Sequence, residues 1–145
     1  MDFATSMKIS ASGLSAQRTW MNVISANLAN VNTTRTESGK PYERLTTIVE
    51  AVDADNHFDR ILDDVVQEEL QAVRVAGVVP DGREFKQVYD PGHPDANDQG
   101  VLIMPNISSV EEVANMVMAS RSYEANLAAL NNAKQMALKA LEIGK

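Results

Sequence analysis

The sequence predicts an α+β fold in which long helices at the two chain ends pair antiparallel, coiled-coil fashion, around a small β-rich insert. Two heptad stripes and a break in pattern between them predict it. From about residue 107 to 143, Val113, Met116, Ser120, Tyr123, Leu127, Leu130, Lys134, Ala137 and Leu141 follow in alternating steps of three and four. Each such step returns to one side of an α-helix. Near the start, Met7, Leu14, Met21 and Leu28 form a second seven-residue row, with Ile24 and Val31 three residues after its last two members. Between the stripes the period is lost, and short β-prone runs alternate with turn formers. The expected division is residues 1–34 for the first helix, 35–106 for the insert and 107–145 for the last helix.

In chain order, Ser6 is expected to cap the first helix, and Ser10 and Gln17 hold weaker positions of its stripe. Alanines 11, 16, 26 and 29 favour helix, whereas Gly13 costs about 1 kcal/mol against Ala at an exposed interior site. The helix is expected to end near Asn30, where Asn30, Asn32, Thr33 and Thr34 bring turn-prone and β-branched residues together. In the insert, Tyr42 and residues 45–49 form a β-prone run after Gly39-Lys40-Pro41, and residues 51–64 read as an acidic loop or short helical turn. Residues 73–79 alternate as a strand. Pro80-Asp81-Gly82 is a turn signal from which residues 85–89 are expected to return as the second strand of a hairpin. Residues 101–104 make a further short strand stopped by Pro105. Ser108 or Ser109 caps the last helix, Glu111 and Glu112 suit its dipole, and Ser108 and Glu111 have capping-box spacing. Lys139 and Lys145 lie towards its far end, and Gly144 stops it. At about 1.5 Å per residue this helix is a rod of about 50 Å. It cannot fold back on itself, so its stripe needs a partner, and the first stripe is the one the chain offers.

Composition narrows the function. At 145 residues the chain is one ordinary domain long, with 44% hydrophobic residues and no cysteine. Disulfides and thiolate metal sites are thereby excluded. No apolar run approaches the ~20 residues of a membrane span, and the first residues lack the basic and apolar regions of a cleaved signal peptide. Residues 1–36 carry a net +2, residues 37–105 a net −9, and residues 106–145 a net 0. Such a balance repels a phosphate backbone, so nucleic acid is not an expected partner.

Three stretches hold residue types from which chemistry could be built. Residues 53–64 begin like a calcium-binding loop, but Phe58 and Asp64 stand where such a loop needs Gly and a bidentate Glu. In Asp90-Pro91-Gly92-His93-Pro94-Asp95 a histidine lies among carboxylates, yet two prolines and a glycine explain the segment as a turn. Arg121-Ser122-Tyr123-Glu124 has no His or Cys close in sequence to activate Ser122. No catalytic, cofactor or metal residue is assigned, and an enzyme is not expected. Assembly is better supported. Trp20 lies one position off the first stripe, as core or as an anchor for a neighbouring molecule, and Asn27, Asn30, Asn32, Asn126, Asn131 and Asn132 flank the stripes. Between packed helices such asparagines fix register. The expected assembly residues are Trp20, Met21, Ile24, Asn27, Leu28, Asn30, Val31, Met116, Tyr123, Asn126, Leu127, Leu130 and Asn131.

Several of these segments are familiar. Ile24-Ser25-Ala26-Asn27-Leu28-Ala29-Asn30-Val31-Asn32 resembles the N-terminal signature of the bacterial flagellar rod, hook and axial proteins. Thr33-Thr34-Arg35-Thr36 resembles its proximal rod members in particular. Residues 88–96, Met104-Pro105-Asn106, residues 119–127, 131–136 and 139–141 are similar to the same members, in the same order, whereas residues 37–72 match poorly. The resemblance implies a non-enzymatic structural subunit of the basal-body rod, whose terminal helices pack with those of neighbours while the insert faces outward. It also implies synthesis in the cytoplasm and export, without a cleaved signal, through the flagellar type III apparatus to the periplasm-spanning rod. The implied partners are copies of the chain, other rod proteins, that apparatus and the surrounding rings, with no direct membrane insertion.

Two other classes fit parts of the sequence. A soluble helical adapter or export chaperone would hold a partner helix in its apolar groove, and strong hydrogen-exchange protection of residues 113–141 in the monomer would mark it. A small metal-dependent hydrolase would use His57 and His93, and a tightly bound metal lost in His93→Ala would mark that.

Overall fold

A computed structural model describes residues 3–53 and 71–143 of the chain. Helix α1 spans Phe3–Ala29 and helix α2 Ser109–Ile143; between them lie strands β1 (Leu45–Asp53), β2 (Gln71–Pro80), β3 (Lys86–Tyr89) and β4 (Val101–Met104). The fold is α+β, two long terminal helices with small antiparallel sheets between.

Helix α1 runs through Ser6, so that residue is inside the helix and not its cap. It stops because Asn30 turns on its last carbonyls: the Asn30 backbone N–H and Nδ2 both donate to Ala26 O, at 3.2 and 2.9 Å. Thr33 Oγ1 then donates to Asn30 Oδ1 at 3.2 Å, which holds the turn. One face of α1, with Lys8, Ala11, Ser15, Arg18, Asn22 and Ser25, is exposed. The opposite side buries Ala16, Val23, Ile24 and Asn27.

The helices are antiparallel and keep one register. Asn27 meets Glu112 near one end, and Gly13 sits against Asn126 further along. The two contacts are 14 residues apart on each helix, so the pair neither slips nor splays between them. A Cβ at Gly13 would stand 3.0 Å from Asn126 Nδ2, so this glycine permits the close approach. The same register sets Phe3 level with Met136 and leaves residues 137–143 of α2 beyond the first described residue of α1.

The seam faces partly elsewhere than the heptad predicts. On α2 the row Met116, Tyr123, Leu130 and Ala137 is half-buried, as expected. The companion row of Val113, Leu127 and Leu141 is exposed, by 52, 40 and 71%. Glu112, Ala119, Asn126 and Ala133 are turned inward in its place. The helix is thus rotated by roughly 50°, half of the ~100° between successive residues. Two causes act together. Glu112 is drawn in by an ion pair, and the small Ala119 and Ala133 let the backbones approach where Val and Leu would hold them apart. On α1 the buried positions are Ala16, Val23, Ile24 and Asn27, and the expected row of Met7, Leu14, Met21 and Leu28 is half-buried.

Strands β1 and β2 pair antiparallel from Leu45↔Pro80 to Asp53↔Gln71, with a bulge where Ile48 faces Gly77 and Val49 faces Val75. This sheet packs on α1, and Val73 N–H donates to Ser12 Oγ at 3.1 Å. The expected hairpin of residues 73–79 with 85–89 does not form. Strand β3 pairs with β4 instead, from Lys86↔Met104 to Tyr89↔Val101. The chain turns away at Asp81 because Asp81 N–H is bonded to Arg44 O (2.7 Å) and Asn106 Nδ2 holds Asp81 O and Arg83 O, both at 3.0 Å. The loop back from β3 closes at Gly100, whose φ of 73° puts it in the left-handed region. A Cβ there would come 2.9 Å from Tyr89 Cε2 and 3.0 Å from Pro91 Cβ. Of the acidic loop expected at 51–64, residues 51–53 are strand and the rest lies outside the described residues.

Candidate assembly interface

A buried polar junction forms where α1 ends and α2 begins. Asn27 imitates a neighbouring strand: its Oδ1 accepts from Leu45 N–H and its Nδ2 donates to Leu45 O, both at 2.9 Å. That pins the start of β1 to α1. The same Nδ2 donates to Glu112 Oε2 at 3.0 Å. Glu112 is fully buried and its charge is met by Arg44, whose Nε and Nη2 donate to Oε1 at 2.9 and 2.6 Å. Arg44 Nη1 donates to Asp81 Oδ2 at 2.8 Å, and Arg44 N–H to Asn106 Oδ1 at 2.8 Å. Helix α1, the strand β1, the turn after β2, the loop before α2 and α2 itself therefore meet at one ion pair. An unpaired carboxylate could not be buried there, because its desolvation would cost several kcal/mol.

An exposed extension continues the junction. Arg83 donates to Asp81 Oδ2 (2.8 Å) and to both carboxylate oxygens of Glu111 (3.0 Å each). Glu111 is therefore engaged by Arg83, where the sequence suggested a capping box with Ser108. Burial pushes the Asp81 carboxyl up, but hydrogen bonds from Arg44 and Arg83 outweigh it and hold the group below its ordinary value. The Arg83 hydrogen bond holds Glu111 below its ordinary value, and Glu111 and Asp81 raise Arg83 in turn. Burial, with the nearby Glu112 charge, pushes the Tyr42 hydroxyl up. Lys86 Nζ donates to Ile107 O, tying β3 to the loop ahead of α2.

Beside the helix seam lies a cleft of about 280 Å³, walled by α1 (Ile9, Gly13, Gln17, Trp20), the sheet (Thr47, Val49, Val73) and Asn126 of α2. Trp20 is half-buried in that wall. The sequence residues divide by position. Ile24 and Asn27 are 1% exposed and covered by the chain itself. Met21, Leu28, Asn30, Val31, Met116, Tyr123, Asn126 and Leu130 are half-buried, and Leu127 and Asn131 are exposed. Reading periodicity missed Arg44, Asp81, Arg83, Asn106 and Glu112. A Glu in a first helical turn reads as a dipole partner, and Arg44 lies 68 residues away from Glu112 in sequence.

The turn around His93 is engaged locally. Asp95 N–H donates to His93 Nδ1 (3.1 Å), Gly92 N–H to Asp90 Oδ1 (3.2 Å), and Thr34 Oγ1 to Asp95 Oδ2 (2.7 Å). The loop is thus a turn docked on the segment after α1. Of the calcium-like stretch only Asp53 is described, at the end of β1, and His57 lies outside the described residues. No described helix is long and apolar enough to cross a membrane.

Comparison with known proteins identifies the segments that carry this architecture. A family model described as flagella basal body rod protein matches residues 7–35, which include most of α1. A second, described as the C-terminal part of the flagellar basal body rod FlgEFG proteins, matches residues 98–143, which include β4 and all of α2. The Flagellar basal-body rod protein FlgC of Bacillus subtilis is 42% identical over 97% of this chain and 97% of its own. That of Borreliella burgdorferi is 39% identical over 99% and 98%, and that of Salmonella typhimurium 38% identical over 94% of each. Identity at this level, over alignments that cover nearly the whole chain, means that the chain belongs to the FlgC family of flagellar basal-body rod proteins.

Proposed function

We propose that the chain is a structural subunit of the flagellar basal-body rod that polymerises through its terminal helices and carries torque, a mechanical role without catalysis. The observation that carries this reading is the half-covered stripe of α2. Helix α1 covers only one flank of it, and Val113, Leu127 and Leu141 are left exposed along about 40 Å of helix at ~1.5 Å per residue. A stripe of that length, apolar and exposed at three positions with Ser120 and Lys134 between them, supports a site for another protein. The buried junction complements it, because an outward-facing insert tied to both helices at one ion pair turns with them as a unit. Trp20, Met21, Leu28, Asn30, Val31, Met116, Tyr123, Asn126, Leu130, Leu127 and Asn131 are proposed to meet neighbours, with Ile24 and Asn27 supporting them from beneath. Residues 1–34 and 107–145 form the assembling unit, and residues 35–106 the insert. The partners are copies of the chain and other rod proteins within the surrounding rings. The route is export from the cytoplasm through the flagellar type III apparatus without a cleaved signal. Deleting residues 130–145 tests the reading. It is expected to abolish incorporation into rods and motility, and motile cells with normal rods after the deletion would refute it.

A further inference from the structure

The β1–β2 sheet is held to the rest of the chain unevenly along its length. At its base, Leu45 exchanges two hydrogen bonds with Asn27, and Arg44 beside it binds Asn106, Asp81 and the buried Glu112. Beyond the bulge the tie to α1 is Val73 N–H on Ser12 Oγ, at 3.1 Å and in an exposed position. Ser12 donates its own proton to Ile9 O at 2.7 Å, which leaves a lone pair for Val73. Thr47, Val49 and Val73 share the face turned to α1 and wall the cleft of about 280 Å³ between sheet and helix. Val49 and Val73 are still 52 and 36% exposed. A strand packed into a core leaves no such gap, so the outer half of the sheet rests on α1 without filling the space beneath it. Two features make that half a body of its own. The bulge leaves Ala76 outside the ladder, between Gly77 on Ile48 and Val75 on Val49. Past it, Arg74 Nε donates to Glu50 Oε1 at 2.7 Å, which joins the two outer segments to each other.

We propose that the outer half of the sheet, residues 49–53 with 71–75, is a flap hinged at the bulge, which lifts from α1 as a unit while residues 45–48 and 77–80 stay on the junction. Local openings arise where a unit has few buried apolar contacts and solvent-exposed hydrogen bonds, as this one has. Closed, the flap withholds from other chains the flank of α1 that carries Ile9, Ala16 and Trp20; open, it bares that flank. The device is a property of the single chain and is independent of the rod reading.

The chain has no cysteine, which makes the test direct. Purified full chain carrying Ala16→Cys or Val23→Cys is labelled with a maleimide, with and without Ser12→Ala. Ala16 and Val23 are buried to a like degree, 9 and 8% exposed, and stand seven residues apart on one side of α1, Val23 towards the fixed end. Ser12→Ala is expected to raise the labelling rate at residue 16 by about two- to tenfold, the factor that one net hydrogen bond is worth. At residue 23 the rate is expected to stay unchanged. No rise at residue 16 overturns the flap. An equal rise at both positions overturns the hinge, because the whole sheet or the helix is then what moves. Trp20, the single tryptophan and part of the cleft wall, gives a reading without cysteine variants. Acrylamide is expected to quench its fluorescence more strongly in Ser12→Ala than in the wild-type chain, and equal quenching also overturns the flap.

Discussion

Replacing Arg44 with Ala is the most informative single perturbation of the fold. The change removes both guanidinium bonds to Glu112 and the one to Asp81, and leaves the backbone N–H of residue 44 on Asn106. Glu112 then keeps Asn27 Nδ2 at 3.0 Å and a marginal contact to Asn115 Nδ2 at 3.5 Å, with no cation, at a site of zero exposure. Breaking a buried pair from one side costs about 3–5 kcal/mol, against about 5–15 kcal/mol for the whole stability of a domain. With a urea m-value of about 2 kcal/mol/M, the midpoint followed by circular dichroism falls by about 2 M. Replacing both partners with apolar residues, Arg44→Met with Glu112→Leu, removes the desolvation cost together with the attraction, so that variant regains most of the loss. A shift below about 0.3 M in Arg44→Ala, or a double variant as unstable as the single one, would refute the claim that this ion pair fastens the insert to the helices.

The remaining predictions concern its periphery and the seam. Asp81 and Glu111 are both held below their ordinary values of 3.8 and 4.5, so their contribution to stability is complete above those values and is lost as pH falls below them. Arg83→Gln therefore lowers the urea midpoint at pH 7, and its difference from wild type narrows at pH 3; a difference that does not depend on pH contradicts this. At the helix crossing, Gly13→Ala is close to neutral, because a propensity gain of about 1 kcal/mol is offset by displacing the Asn126 amide, whose Nδ2 lies 3.0 Å from the added Cβ. Gly13→Leu overpacks the same point and costs about 1–3 kcal/mol in thermal or urea unfolding. Equal stability of the Ala and Leu variants would mean that the helices do not approach closely there.

What the sequence revealed, and what it concealed, follows from the range of the interactions. Both helices and the strand runs at 45–49, 73–79 and 101–104 were legible because period and turn chemistry are local. The Met116, Tyr123, Leu130 and Ala137 row was legible for the same reason. The other row was not, because a heptad reports which residues can share a face and not which flank a given partner takes. Glu112 is polar and reads in the sequence as a partner of the helix dipole, yet Arg44 and Asn27 draw it to the centre. Strand pairing failed at Pro80-Asp81-Gly82 for a related cause. The local signal favoured a hairpin, and bonds from Arg44 and Asn106, both distant in sequence, divert the chain.

The displacement of the seam has a functional sense. Had α2 turned its whole apolar stripe to α1, the pair would be complete and would have little to offer a neighbour. The ion pair at Glu112 prevents this by rotating the helix, so that small residues face α1 while Val113, Leu127 and Leu141 remain outside. Buried ion pairs add little net stability over apolar packing but penalise arrangements that leave a charge unpaired. A register slip or a rotation of α2 would strand Glu112 in that way. The junction thus fixes which side of α2 is used within the chain and which side stays exposed, the side proposed above to meet a neighbour.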